Sequence, residues 1–223
     1  MAMAPVQITV RGTHTVTVHP EQATVHAMLS GEGRSAESVF QAVAARLAEV
    51  RGSLESRHQP KNGPVTRYVI DQIRIGSHRP FHPDGEQLPP VHTASVSITA
   101  TFTDFDDLAA WIRWCGHIDG LGITFIDWAL TAASRRKVER KTRQQAVRDA
   151  RRRAQDCADA LDLGAVEVSS ISDPGLGGPV QRTVLMAAAS AAPAAGSGDF
   201  ALRPDDVEVA AEVEAVFIVH GAG

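Results

Sequence analysis

Hydrophobic and polar residues alternate at both ends of the chain. Near the N-terminus, polar residues separate Val6, Ile8, Val10, Val16 and Val18. The same period returns after Pro20, in Ala23, Val25, Ala27 and Leu29. A period of two is typical of a strand with one face on a core. The pattern therefore predicts two neighbouring strands joined by a turn at Pro20.

Periods of three and four residues indicate helices further along the chain. One such segment follows Ser35 and another follows Asp104, and both residue types are favourable helix N-caps. Between them, strands are predicted at about 65–75 and 94–102. The first part of the chain is therefore predicted to repeat the order strand, strand, helix twice.

The second part contains the longest predicted helix. Residues 122–131 are apolar on both faces, which indicates an interior strand. A helix over about 133–161 with Gly164 as its C-terminal cap follows, and then a short strand near Val166. Residues 177–200 are rich in Ala, Gly, Ser and Pro and are predicted to form a mobile loop before a last strand at 207–219.

This order of elements predicts an α+β fold with a largely antiparallel sheet of about seven strands. We expect residues 1–223 to form a single domain. An alternative is two pseudo-repeated subdomains, residues 1–60 and 65–223.

Four motifs occur in an order that resembles the SIMPL-domain family. They are VRGTHTVTVHPEQATV near the start, the Ala- and Arg-rich helix, the low-complexity insertion LMAAASAAPAAGSGDF and the closing LRPDDVEVAAEVEAVFIV. His14 stands where family members often have Gly. The resemblance implies a SIMPL-like fold without a settled activity, and loosely implies stress defence and ring-like homo-oligomers.

Composition is that of an ordinary globular protein, with 43% apolar and 22% charged residues. The first residues show no basic region followed by an apolar stretch, and no run of about 18 apolar residues occurs. We therefore expect a cytoplasmic location and no membrane span. Many bacterial family members carry a signal peptide, so this expectation departs from an envelope setting.

No cluster of residues predicts catalysis, a metal site or a cofactor. His78, His82 and His92 lie in one segment, but their spacing does not suit a tetrahedral metal site. Cys115 and Cys157 are far apart and are expected to be reduced thiols. Gly31 and Gly33 precede a helix without completing a dinucleotide or phosphate-loop motif. We expect a protein that is not an enzyme, with no metal and no cofactor.

Charge is distributed unevenly. Between Ser134 and Arg153 there are ten basic and two acidic residues, so this segment carries +8 and the rest −12 of a total of −4. The candidate interaction residues on this helix are Arg135, Arg136, Arg140, Arg143, Arg148, Arg151, Arg152 and Arg153. Their candidate acidic counterparts are Glu208, Glu212 and Glu214 on the last strand.

Three interpretations of the basic helix remain open: charges solvated or paired within the chain, a subunit interface, and a nucleic-acid surface. Aromatic residues that could stack on bases are absent from the helix, which disfavours nucleic acid. We therefore expect a closed homo-oligomer larger than a dimer, of the ring-like kind. A nucleic-acid-associated module using residues 134–153 is the alternative.

Overall fold

The computed structural model describes residues 5–81, 87–173 and 202–220. Its strands are β1 (Val6–Val18), β2 (Gln22–Gly33), β3 (Val65–Ile70), β4 (Arg74–His78), β5 (Val91–Phe102), β6 (Leu121–Ala129), β7 (Glu167–Ser172) and β8 (Val207–Val219). Its helices are α1 (Ala36–Arg57), α2 (Phe105–Cys115) and α3 (Ala132–Asp159). The predicted loop at 177–200 and His82 lie outside the described residues.

The chain divides into two compact units. Among the described residues, the first comprises 5–19, 130–173 and 206–220, and the second comprises 20–81, 87–129 and 202–205. These units follow contacts in the fold, whereas the alternative division into 1–60 and 65–223 follows the order of elements along the chain.

The first unit is a three-stranded antiparallel sheet with the order β1-β8-β7. Val6 lies opposite Val219, Val18 lies opposite Val207, and the register between β1 and β8 is unbroken. The central strand of this sheet is therefore the last strand in sequence.

Helix α3 packs on one face of this sheet through small side chains. Its buried residues are Thr142, Ala146, Ala150, Ala154 and Ala158. They share a core with Val213, Ala215, Phe217 and Val219 of β8. A Cβ atom on Gly12 of β1 would lie 2.1 Å from the carbonyl oxygen of Ala146 and 2.7 Å from the Cβ of Ala150. Gly12 thus permits the close approach of helix and strand.

The second unit is a five-stranded antiparallel sheet in which β3, β5, β2 and β6 are successive neighbours and β4 pairs with β5. The side chains of Ser35 and Asp104 accept hydrogen bonds from the first turns of α1 and α2. Buried residues of both helices share one core with the alternate buried residues of β2 and β5. Trp111 of α2 and Phe102 of β5 are the largest completely buried side chains of that core.

The α+β class, the mostly antiparallel pairing and the order of elements are confirmed. The predicted pairing of the first two strands is wrong, because β1 pairs with β8 and β2 pairs with β5 and β6. The chain passes from one unit into the other at Pro20.

Three local predictions also need correction. The segment predicted as an interior strand is β6, which pairs only with β2 among the described strands and is half-exposed. Its apolar residues face the core of the second unit on one side, while Phe125 stacks on His26 on the other. The strand predicted at 65–75 is divided into β3 and β4. Helix α3 ends before Gly164, and Asp162 adopts the positive φ of 54°.

We predict that Gly12→Ala lowers the free energy of unfolding by about 1–3 kcal/mol, the usual cost of overpacking. The added methyl group would overlap the backbone of α3. Gly52→Ala is the matched control, because a Cβ at Gly52 of α1 meets nothing within 4 Å. Since alanine favours a helix, this control should gain up to about 1 kcal/mol. Urea unfolding of both variants measures the difference, and equal stabilities would contradict the close contact.

Candidate functional site

The basic residues of α3 lie on its solvent side. All ten Lys and Arg residues between Ser134 and Arg153 are exposed. The buried residues recur every four positions from Thr142, so Arg140 and Arg148, two positions away from buried residues, lie on the opposite side of the helix. We define the basic face as Arg136, Lys137, Arg140, Lys141, Arg148 and Arg151.

The basic face has no ion pair with any carboxylate among the described residues. Three other arginines of α3 do have such pairs: Arg135 lies 3.8 Å from Glu139, and Arg152 and Arg153 lie 2.6 and 2.8 Å from the carboxylate of Asp149. The helix therefore presents positive charge to solvent that the described part of its own unit does not neutralise.

The acidic residues of β8 lie on the other face of the sheet. Val213 and Phe217 are buried in the core that β8 shares with α3, and side chains alternate along a strand. Glu208, Glu212 and Glu214 therefore project from the face away from α3, and we define these three residues as the acidic row. The sheet itself separates the acidic row from the basic face.

Arg11 of β1 is the basic partner of the acidic row. Its guanidinium lies 2.8 Å from Glu212 and 2.9 Å from Glu214. These are cross-strand pairs, because Arg11 lies opposite Glu214 in the register. Sequence reasoning missed Arg11, since nothing in a single strand shows which strand will lie beside it.

A groove at the beginning of α3 brings two predicted basic residues near the acidic row. Arg135 and Arg143 line this groove of about 520 Å³ together with Glu208 and Glu212. None of the ion pairs among the described residues joins these arginines to these glutamates. The structure thus brings part of the predicted basic and acidic sets to one groove, while the basic face points elsewhere.

Asp149 connects α3 to β1. Its side chain, only 12% exposed, accepts a hydrogen bond from the backbone N–H of Thr13 at 3.1 Å. Arg152 and Arg153 donate to the same carboxylate. The Thr13 N–H, followed by the bond from Arg152, lowers the pKa of Asp149 below its ordinary 3.8. Sequence reasoning counted Asp149 only as a charge.

The structure brings together no cluster of metal-binding side chains among its described residues. No three His, Cys, Asp or Glu side chains there could hold a metal ion. Burial raises the pKa of the Cys115 thiol to about 12, which leaves it protonated and unreactive, and Cys157 is exposed. The absence of a metal requirement stays a prediction.

The second unit contains a polar cleft that sequence reasoning did not find. It has a volume of about 530 Å³ and includes Ser30, Glu32, Ser95 and Arg46 in its lining. Arg46 lies 2.6 Å from the carboxylate of Asp119. Asp119 also lines the cleft, so the Arg46 guanidinium is already paired with a carboxylate within it.

No helix in the described ranges is both long and apolar enough to cross a membrane.

We predict that Asp149→Asn lowers the free energy of unfolding at neutral pH by on the order of 1 kcal/mol, because the ion pairs with Arg152 and Arg153 are lost. The pKa of Asp149 is lower in the folded protein than its ordinary 3.8. The stabilisation that its carboxylate provides is therefore complete above pH 3.8 and is lost as the pH falls through the lower folded-state pKa. Urea unfolding of both proteins at pH 7 and at lower pH measures this difference. A gap that widened toward acid would contradict the assignment.

Comparison with protein-family models gives one match over most of the chain. The model described as SIMPL, a protein of unknown function (DUF541), matches residues 8–217. A search of curated proteins finds no match. The matched range begins within β1 and ends within β8, so it includes both units. The chain therefore belongs to the SIMPL family.

Proposed function

We propose that this protein is a non-enzymatic SIMPL-domain protein that assembles into a homo-oligomer larger than a dimer. The observation that carries the proposal is the placement of opposite charges on opposite faces of the first unit. Among the described residues, the basic face of α3 lacks carboxylate partners, and the ion pairs of the acidic row all go to Arg11, which leaves Glu208 without one. A second copy is a complementary partner for each face.

This placement favours a head-to-tail contact. The basic face of one copy would meet the acidic row of the next. An open row of copies would then have an unpaired basic face at one end and an unpaired acidic row at the other. Such a heterologous contact continues until a ring closes, when its rotation permits closure. A cytoplasmic location and a role in stress defence are also part of the proposal, and the role in stress defence rests on the family resemblance alone.

Light scattering coupled to size exclusion tests the assembly. At moderate salt we expect a species of more than twice the chain mass of 23.8 kDa. Increasing salt should shift it toward smaller species, because exposed charges separated by more than a Debye length are screened. A monodisperse monomer at micromolar concentration would contradict the proposal.

We predict that the triple variant Arg140→Glu, Arg148→Glu and Arg151→Glu is smaller than the unmodified protein at moderate salt. The three positions are exposed and have no ion pair among the described residues, so the fold should persist. The matched control carries the same charge change in the second unit, at Arg34, Arg51 and Lys61, which are also exposed. Light scattering should show an unchanged control. Equal dissociation of both variants would mean that only net charge matters.

A polyanion surface is the second candidate function, because the same unpaired basic face could meet phosphates. It predicts an elevated ratio of absorbance at 260 to 280 nm after purification in low salt, and oligonucleotide binding that falls steeply with salt. Loss of that binding in the Arg140, Arg148 and Arg151 variant, together with unchanged native mass, would favour this second candidate over assembly.

A further inference from the structure

Strand β1 has one free edge among the described strands. It pairs with β8 on one side and with no other strand on the other. Backbone N–H groups of a strand alternate between its two edges. Thr13 directs its N–H to Asp149 and away from β8, so the other odd-numbered residues of β1 do likewise. The free edge therefore carries the N–H groups of Gln7, Thr9, Arg11, Thr13, Thr15 and Thr17.

This edge has few of the features that usually protect an exposed strand. It is 13 residues long, it contains neither Pro nor Lys, and its register with β8 has no bulge. Threonine, a residue that favours strands, occupies four of the six odd-numbered positions. Long regular edges of this kind are templates for another strand.

Asp149 occupies the middle of the edge. Its carboxylate oxygen lies 3.1 Å from the N–H of Thr13, in the place that a carbonyl oxygen of a neighbouring strand would take. Arg152 and Arg153 hold the carboxylate from the other side, at 2.6 and 2.8 Å. The side chain is thus fixed against the strand by three contacts.

We propose that Asp149 keeps the free edge of β1 from pairing with β1 of a second copy. An antiparallel pair centred on Thr13 would place Thr9 opposite Thr17 and Arg11 opposite Thr15. Its central pair would exchange both N–H bonds between the two Thr13 residues. With Asp149 in place, both of these donors are already used and two carboxylates would face each other across the join.

The inference is independent of the proposed function. Head-to-tail assembly uses the two faces of the first unit, whereas strand pairing would use the edge of its sheet. High salt separates them, because it screens contacts between charged faces and also reduces repulsion between the two α3 helices of an edge-paired dimer. The test is therefore made in about 1 M salt.

The Asp149→Ala variant removes the acceptor and leaves the Thr13 N–H free to pair. The Asp149→Asn variant keeps a side-chain oxygen that can accept the hydrogen bond from this N–H. Asp156→Ala is the matched control, an exposed aspartate of the same helix. We expect only Asp149→Ala to form, with rising concentration, a species of twice the mass of the unmodified protein in sedimentation. Adding Thr9→Pro should abolish this species, because it removes an edge N–H without removing a bond to β8.

Two sedimentation results would overturn the proposal. One is a folded Asp149→Ala protein with the same mass as the unmodified protein at every concentration. The other is association that persists with Thr9→Pro.

Hydrogen exchange on the unmodified protein gives a test that does not depend on whether a variant folds. The Thr13 amide should exchange at least tenfold more slowly than the amides of Thr9 and Thr15, its neighbours on the same edge. Equal exchange at the three positions would show that Asp149 does not close the edge, and would overturn the proposal even if Asp149→Ala failed to fold.

Discussion

The pairing of β1 with β8 is the interaction on which the first unit depends. It joins the two ends of the chain in one unbroken ladder, with Arg11 and Glu214 separated by 203 positions. Strand β7 pairs with β8 of this ladder, and helix α3 packs on one face of it. Because β8 is the central strand, the unit cannot form its core until the last part of the chain has joined the first. Closing so long a loop carries an entropic cost that the ladder and the helix contact must offset.

The helix contact depends on small side chains. Gly12 and the alanines of α3 let the helix lie close to the sheet, so the buried side of the helix needs little apolar bulk. Arginine and lysine occupy much of the exposed side of the helix. The same ladder holds the acidic row on the opposite face of the sheet. The charge separation on which the proposed assembly rests is therefore a consequence of how the sheet is built.

Sequence reasoning found what depends on neighbouring residues. The periods of β1, β5 and β8, and the caps Ser35 and Asp104, are local signals, and the structure contains each of them. Partners across the sheet carry no such signal. Pro20 indicates the end of a strand, but no local signal shows that the chain enters a second unit there. The sequence pattern therefore predicts that β1 and β2 are neighbours, although they lie in different sheets.

The candidate site shows the same limit. Its basic and acidic residues could be named from charge alone. Three features depend on long-range register: the sheet separates the acidic row from the basic face, Arg11 pairs with Glu212 and Glu214, and Asp149 accepts a hydrogen bond at the edge of β1. A Thr-rich strand and a single aspartate in an Arg-rich helix give no sign of their contact until both are folded.

The measurement that tests the central claim most directly is the native mass of a mixture of two charge-reversed chains. In one chain the basic face is reversed by Arg140→Glu, Arg148→Glu and Arg151→Glu. In the other the acidic row is reversed by Glu208→Lys, Glu212→Lys and Glu214→Lys. Head-to-tail contact predicts that each chain alone is small, while the equimolar mixture forms a large oligomer of alternating chains. A mixture that stays as small as its separate components would contradict the claim that these two faces meet.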